Sequence, residues 1–354
     1  MAGRRTHTLP RFLQNGFASS RKGGEVYVWM YRKGIPGIEV NTTKVGVEKD
    51  FYGKPDESDL DDRITKLETE FSQLVDELRT RPLNGEPIDD ERIPRFLAHI
   101  AIRQRYVPET IQDAMATVSA QLGSHLRQEE NAIEMLAQEL SQSPERQEYF
   151  KMFWRASGLT EDQIALKLRS PDEHWKEIAA EIYPLMKSGL EEGLDRMAST
   201  FENPPDGAFK AGYVESLSRN LHAEERVEHY GRYRWYVLSS STPLLLGDCG
   251  CVFETAGKRR FRPIDEMEEG FVAAYLPIAS TRLLVGSTSK HEPMIDVKLV
   301  NRAVARCSHK FFVSSTQLPT DSHLVKSLGA WAGVMNEREL VEVMNDLKSK
   351  IKEH

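Results

Sequence analysis

The chain has 354 residues, of which 40% are hydrophobic and 29% are charged, and its formal net charge is −7. This composition is that of a folded globular protein and excludes a wholly disordered chain. The acidic balance argues against a surface coated with basic residues for non-specific DNA binding.

The cysteines and the hydropathy pattern predict a compartment. Cys249, Cys251 and Cys307 are too few and odd in number for a disulfide framework, so free thiols in a reducing compartment are expected. No segment approaches the ~18 uninterrupted apolar residues of a transmembrane helix, and the residues before Pro10 lack the apolar region of a signal peptide. We therefore expect a cytoplasmic protein without a membrane partner.

Residues 1–60 predict a helical turn followed by a β-hairpin. The helical turn is expected at Pro10, because proline suits the first turn of a helix. Residues 25–33 are rich in Val, Tyr and Trp and predict a strand, and the glycines and proline of residues 34–37 predict a turn. Residues 38–47 then pair back as a second strand.

Residues 61–230 are predicted to form a block that is almost wholly helical. Its first helix carries one apolar stripe at helical spacing, made of Ile64, Leu67, Phe71, Leu74, Val75 and Leu78. No internal period of roughly 20–50 residues is present, which excludes a repeat solenoid.

Residues 231–354 predict a C-terminal α/β part. Short strands are expected at residues 234–238, 243–246, 250–253, 271–276, 282–286 and 310–313. Helices are expected at residues 296–307 and about 337–350. We expect the hairpin of residues 1–60 to join these strands in one mixed sheet, with the helical block between them, which is an α+β fold.

Several site classes lack their motifs. The chain contains no Gly-x-x-x-x-Gly-Lys-Ser/Thr loop, no Gly-x-Gly-x-x-Gly after a strand and no Gly-x-Ser-x-Gly elbow. Cys249 and Cys251 supply two thiols at i, i+2 spacing, but no further ligand pair lies near them in sequence to complete the four ligands of a structural zinc site. No metal site or cofactor-binding site is predicted, and any cofactor is unidentified.

Four polar residues stand at unusual points of this pattern. His7 precedes an apolar turn, where a histidine fits an acid or base near neutral pH, a helix cap or a partner for a buried carbonyl. Arg103 ends the apolar run 96–102 and needs a carboxylate or an anionic ligand. Asp248 follows an apolar strand, a position common to functional sites and to turns. Asn301 lies inside a predicted helix, where asparagine has poor propensity.

The same residues carry a resemblance to a known family. His7-x-x-Pro10-x-Phe12-Leu13-x-x-x-Phe17, followed by Val28-Trp29-x-Tyr31, resembles the opening of the bacterial family called domain of unknown function family 4238. Later family segments resemble the helix ending in Arg103, the strand at Trp235, the turn Leu246-Gly247-Asp248 and the helix with Asn301. The resemblance covers about residues 7–315.

Departures from the family pattern concern the backbone beside the charged groups. Gln104 and Arg105 replace a Thr-Pro pair, Gly247 replaces Ser or Thr, and Gly250 replaces Pro. The family has no settled activity, so the resemblance implies a fold and a site but no reaction. Its relatives among bacterial and phage accessory genes imply a role in conflict or defence.

Two functional hypotheses follow. In the first, the protein is a phosphodiester-cleaving enzyme, metal-independent or weakly metal-assisted, acting on RNA or nucleotides. His7 is then the acid or base, Arg103 and Arg105 hold phosphate, Asp248 orients or activates, and Asn301 positions. In the second, the protein binds an unidentified partner without catalysis, and the same residues form a buried structural network. Convergence on an open cleft favours the first hypothesis, and burial without a cavity favours the second.

Overall fold

A computed structural model of the chain describes residues 5–52, 59–104, 106–169, 171–205, 207–221, 223–256, 260–265, 267, 270–289, 291–319, 321–333, 335 and 339–346. The predicted α+β class is confirmed. The chain divides into two compact units, one made of residues 1–111 and 209–334 and the other of residues 112–208 and 335–354. Arg105 and the ends of the helix predicted over 337–350 lie outside the described residues.

The described part of the chain contains twelve strands. They are β1 (Arg5–His7), β2 (Ser20–Lys22), β3 (Glu25–Arg32), β4 (Ile35–Asn41), β5 (Val47–Lys49), β6 (Arg234–Ser239), β7 (Leu246–Gly247), β8 (Val252–Thr255), β9 (Phe261–Arg262), β10 (Phe271–Ala279), β11 (Arg282–Ser287) and β12 (Phe311–Ser314).

The described residues also form twelve α-helices of defined bounds and two 3₁₀ turns. The helices are α1 (Arg11–Gln14), α2 (Leu60–Thr80), α3 (Arg92–Ile102), α4 (Val107–Leu126), α5 (Glu129–Gln142), α6 (Pro144–Ala156), α7 (Glu161–Arg169), α8 (Pro171–Glu202), α9 (Ala208–Arg219), α10 (Glu224–Gly231), α11 (Val297–Cys307) and α12 (His323–Lys326). The 3₁₀ turns are Asn15–Phe17 and Thr42–Lys44. Residues 339–346 are also helical.

One sheet joins the two ends of the chain, as the sequence predicts. Its strand order is β2-β3-β12-β7, and β4 also pairs with β3. The connection is the ladder between β3 and β12, in which Trp29 lies opposite Ser314 and Arg32 lies opposite Phe311. The N-terminal hairpin and the C-terminal strands therefore share a sheet.

The structure differs from a single mixed sheet in two respects. The described strands form three sheets, since β6-β11-β10-β8-β9 and the pair β1-β5 are separate from the first. All described ladders are antiparallel. The turns between β3 and β4 and between β10 and β11 have two residues each, and such short connections require antiparallel pairing.

Strand boundaries also depart from prediction at two places. The expected strand over residues 243–246 is reduced to β7, because the N–H of Leu245 is taken by the side chain of Asn301 and Pro243 has no N–H. The residues before the helical turn look irregular in sequence, yet β1 pairs with β5. That partner lies about 40 residues away and leaves no local signal.

The helical range is divided between the two units. In the first unit, α2 and α3 pack against the sheets, and α2 buries Ile64, Phe71, Leu74 and Leu78 with Leu67 partly buried, which confirms the predicted stripe. The second unit has its own core of Trp154, Trp175 and smaller apolar residues of α5, α7 and α8. No described helix is both long enough and apolar enough to cross a membrane.

Candidate functional site

Arg103 is a buried cation whose guanidinium is bound by protein groups. It directly follows α3, and its side chain is 2% exposed. Nε donates to the Tyr52 hydroxyl at 3.0 Å, and Nη2 donates to the His7 carbonyl oxygen at 2.8 Å. Nη1 forms an ion pair with Glu68 and lies 3.5 Å from His99 Nε2. All three guanidinium nitrogens therefore have protein partners.

These partners come from four separate segments of the first unit. His7 belongs to β1, Tyr52 follows β5, Glu68 lies on α2 and His99 on α3. Burying an arginine costs several kcal/mol unless its charge and donors are matched, a cost of roughly the size of a domain's net stability. The carboxylate, the hydroxyl and the carbonyl provide that match, so Arg103 ties the four segments together.

His7 is half-buried and held by a main-chain group. Its Nδ1 lies 3.2 Å from the carbonyl oxygen of Val45. Burial lowers the pKa of His7 below its ordinary value of 6.5, and the charges of Arg11 and Arg103 act in the same direction, although the hydrogen bond to Val45 opposes them. The imidazole is therefore neutral at pH 7. The Val45 carbonyl can only accept, so Nδ1 carries the proton and Nε2 keeps a lone pair.

Asp248 is a buried carboxylate that binds three consecutive main-chain N–H groups. Oδ1 accepts from His309 at 2.7 Å, and Oδ2 accepts from Lys310 at 2.7 Å and from Phe311 at 3.0 Å. Burial raises the pKa of Asp248 to about 6, and the three N–H groups only partly oppose it. The carboxylate thereby fixes the connection between α11 and β12 beside β7.

The cavity next to Asp248 is too small for a substrate. Its volume is about 10 Å³, close to the minimum that holds one water molecule. Its walls include Gln104, Tyr106, Cys249, Cys307 and His309. The Tyr106 and His309 rings stack with their centroids 4.3 Å apart, and Gln104 connects this cavity along the chain to Arg103.

Gly247 and Gly250 replace the family's residues in the turn around Asp248, and the structure shows why glycine fits at both positions. A Cβ on Gly247 would lie 2.1 Å from Ser308 Oγ, so this position requires the absence of a side chain. Gly250 has φ +69°, a conformation that proline cannot adopt, and a Cβ there would lie 2.6 Å from a methyl group of Ile100. The glycines allow β7 and its turn to pack closely against α3 and α11.

Asn301 stabilises the segment that precedes β7. Its side-chain oxygen accepts from the N–H of Leu245 at 2.9 Å, and its amide nitrogen donates to the carbonyl of Pro243 at 2.9 Å. The structure thus brings His7 and Arg103 into contact, while Asp248 and Asn301 each bind main-chain groups of other segments. These contacts account for an asparagine inside α11.

A wider cleft lies beside α2. Its volume is about 500 Å³, and its walls include Phe12, Asn15, Arg21, Ser72, Asp76 and Arg79. The Arg79 guanidinium binds the carbonyls of Phe12 and Ile278 at 2.7 and 2.8 Å and the Asp76 carboxylate at 3.0 Å. Arg79 is therefore a structural cation, and the exposed Arg21 is the remaining basic group on this wall.

The thiols and carboxylates of the described residues do not assemble into a recognisable metal centre. Within the described ranges, no three His, Cys, Asp or Glu side chains form a group that could hold a metal ion. Cys249, Cys251 and Cys307 are buried and form no disulfide with one another. Burial raises the pKa of the Cys249 and Cys251 thiols above the ordinary value, so both are neutral and poorly nucleophilic.

Sequence reasoning missed three members of the Arg103 network, namely Tyr52, Glu68 and His99. Glu68 carried a usable signal, because it falls on the apolar side of α2 between Ile64 and Phe71, where a carboxylate needs a cation. His99 carried a similar signal within the apolar run of α3. Tyr52 lay in a segment of no regular pattern, and its signal was its place in the segment 48–52 that resembles the family.

Comparison with known protein families finds a match over most of the chain. A family model described as "Protein of unknown function (DUF4238)" matches residues 5–317, in agreement with the resemblance over residues 7–315. No match was found among curated proteins or among solved structures.

Proposed function

The chain belongs to the DUF4238 family of proteins of unknown function, and we propose that it is a non-catalytic binding protein. In this proposal His7, Arg103, Asp248 and Asn301 form a buried framework that holds the first unit together. The observation that carries the proposal is the guanidinium of Arg103, which is 2% exposed and bound on all three nitrogens by protein groups.

A phosphate-binding arginine needs donors that face an open site. Guanidinium groups recognise phosphate with two parallel N–H groups, and this recognition needs access. The nitrogens of Arg103 are directed at Tyr52, Glu68, His99 and the His7 carbonyl. Releasing them for a phosphate would leave Glu68 without its cation. This arrangement supports a structural role.

The other two predicted site residues support the same proposal. Asp248 has three main-chain donors on its oxygens and a cavity of only about 10 Å³ beside it. Asn301 uses both halves of its amide on the main chain. A catalytic carboxylate or amide has to keep at least one group for the substrate, and these contacts occupy the groups that would do so.

Phosphodiester cleavage of RNA or nucleotides, in bacterial or phage conflict, is the second candidate function. It is favoured by His7 alone, because a neutral imidazole with a lone pair on Nε2 is suited to accept a proton near pH 7. In this candidate Nε2 would take the proton of the attacking hydroxyl, from RNA or from water, as its oxygen bonds to phosphorus. The P–O bond to the leaving oxygen would break, and the proton would pass to that oxygen.

The two functions are separated by measuring cleavage and stability on the same variants. Wild type and His7→Ala are incubated with bis-p-nitrophenyl phosphate and with a labelled single-stranded RNA, with and without Mg²⁺ or Mn²⁺, and their thermal unfolding is recorded. His323→Ala is the matched control, since His323 is exposed on α12.

We expect no cleavage by any of the three proteins, and a loss of about 1–3 kcal/mol in stability for His7→Ala only. Cleavage by wild type that falls by roughly 10²–10⁴ in a His7→Ala variant of unchanged melting temperature would establish the enzyme and reject the framework.

A further inference from the structure

One edge of the five-stranded sheet is only half covered. β6 is the terminal strand of the order β6-β11-β10-β8-β9, and the N–H of Ile88 donates to the carbonyl of Trp235 at 2.7 Å. The Trp235 carbonyl therefore points away from β11. Since main-chain directions alternate along a strand, the N–H and C=O groups of Val237 and Ser239 point outward as well. No described residue hydrogen-bonds to these four groups.

An apolar groove follows this open edge. Its volume is about 260 Å³, and its walls include Leu83, Leu238, Leu283, Pro293, Ile295 and Val297. Leu83 is 45% exposed, whereas Val237 is only 8% exposed. The outward N–H and C=O groups of Val237 have no hydrogen-bond partner among the described residues, and a strand that pairs with them would supply one.

A carboxylate stands beside the apolar walls. Glu292 lines the groove and is exposed, and no described Lys, Arg or His forms an ion pair with it. The groove therefore offers main-chain hydrogen bonds, apolar contacts and one negative charge. These are complementary to an extended chain that carries an aliphatic side chain and a basic side chain.

We propose that the β6 edge binds an extended segment of a partner protein by β-strand addition. The segment pairs with the main chain of Val237 and Ser239, places an aliphatic residue between Leu83 and Pro293, and places a Lys or Arg beside Glu292. This inference rests on the proposed binding function and identifies the surface and the chemistry of the partner.

A second copy of the chain is a poorer occupant of the same edge. Two β6 edges paired about a twofold axis would bring two Glu292 carboxylates to the same interface, and like charges at an interface oppose association. A basic segment from another protein avoids this charge repulsion.

The test uses two labelled peptides and fluorescence anisotropy on the full chain. The probes are the acetylated amides of Thr-Val-Lys-Val-Thr and Thr-Val-Glu-Val-Thr. Ser239→Pro removes one outward N–H and leaves the ladder to β11, since proline is tolerated on an edge strand. Leu83→Arg fills the groove at an exposed position and is the second variant. Glu292→Gln removes the charge, and Glu70→Gln makes the same change on the exposed side of α2.

We expect saturable binding of the lysine peptide, weakened at least tenfold by Ser239→Pro or Leu83→Arg and about threefold by Glu292→Gln. The glutamate peptide should bind less tightly than the lysine peptide to wild type, and Glu70→Gln should bind like wild type. Absence of saturable binding, or binding that Leu83→Arg leaves unchanged, overturns the inference. Self-association that Leu83→Arg abolishes also overturns it, because the edge then serves a second copy.

Failure of this inference is distinguishable from failure of the proposed function. If the protein neither binds the peptides nor cleaves phosphodiesters, only the assignment of the groove as a binding site is contradicted. A protein whose cleavage depends on His7 contradicts the proposed function, whatever the peptides do.

Discussion

Asp248 is a carboxylate whose oxygens are bound by three main-chain N–H groups and whose pKa nevertheless lies near neutral pH. Withdrawal from water disfavours its charge, while the N–H groups of His309, Lys310 and Phe311 favour it. Burial outweighs the donors, and the pKa rises to about 6. A raised pKa is commonly used to identify catalytic acids, but here the surrounding volume of about 10 Å³ leaves no place for a substrate.

The first prediction concerns Asp248→Asn. An amide keeps one acceptor oxygen but turns an NH₂ group towards a main-chain N–H, so at least one buried hydrogen bond is lost. We expect the free energy of unfolding to fall by about 1–3 kcal/mol, measured by urea denaturation. Asp89→Asn, at an exposed position, should change it by less than about 0.5 kcal/mol. An Asp248→Asn protein as stable as wild type would contradict the structural role.

The second prediction concerns pH. The folded pKa of Asp248, about 6, lies above its ordinary value of 3.8, so the folded state binds the proton first as pH falls. The stability that this difference in pKa contributes is fully present below the pKa of Asp248 in the unfolded chain. It is lost as the pH rises through about 6, the pKa in the folded protein.

Wild type should therefore gain about 1–2 kcal/mol relative to Asp248→Asn when the pH is lowered from about 7.5 to about 5. Both proteins contain His7, whose lowered pKa changes stability with pH in the opposite direction. Comparing the two proteins at each pH cancels this contribution of His7. A difference in unfolding free energy that does not change with pH would show that the carboxylate keeps an ordinary pKa.

At the scale of elements, the chain that follows α1 packs against the sheet containing β10, and this contact depends on a close approach of the two main chains. Gly16 follows α1, and its carbonyl accepts from the N–H of Ser280 at 2.9 Å. A Cβ at Gly16 would lie 2.5 Å from the carbonyl oxygen of Ile278 and 3.0 Å from Ala279 Cα. Both atoms are main chain and cannot move aside without displacing β10.

The third prediction is that Gly16→Ala destabilises the protein by about 1–3 kcal/mol through overpacking. Gly212→Ala is the matched control, since Gly212 lies inside α9 with nothing within 4 Å of an added Cβ. That change should stabilise the helix by up to about 1 kcal/mol. Thermal unfolding shows whether each variant is less or more stable than wild type. A Gly16→Ala protein that melts at the wild-type temperature would contradict the close packing.

The elements that sequence predicted well are those with a local signal. The stripe of α2 follows from apolar spacing alone, and β3 follows from its Val, Tyr and Trp content and the turn at Gly34. The pairing of β1 with β5 and the division into three antiparallel sheets had no local signal, because both depend on partners distant in sequence. Arg103 was identified because it is a charged residue at the end of an apolar run. Its role depends on its partners, and of these the apolar spacing could have indicated only Glu68 and His99.

At the scale of the whole chain, the first unit is assembled from two separated stretches, residues 1–111 and 209–334. Such a unit depends on contacts that join distant segments. The ladder between β3 and β12 is one such contact. The bonds of Asp248 to the first residue of β12 and the two residues before it reinforce this ladder. Arg103 joins β1, the segment at Tyr52, α2 and α3, so its loss should be felt across the unit.

The free energy of unfolding of Arg103→Met tests the framework most directly, measured by urea denaturation against wild type. Arg302→Met is the control, because Arg302 is exposed on α11. Removing one partner of a buried ion pair costs about 3–5 kcal/mol, so we predict a loss of that size for Arg103→Met and less than about 0.5 kcal/mol for the control. An Arg103→Met protein within about 1 kcal/mol of wild type, or more stable than wild type, would contradict the account, because an arginine kept for a ligand can be removed without harming the fold.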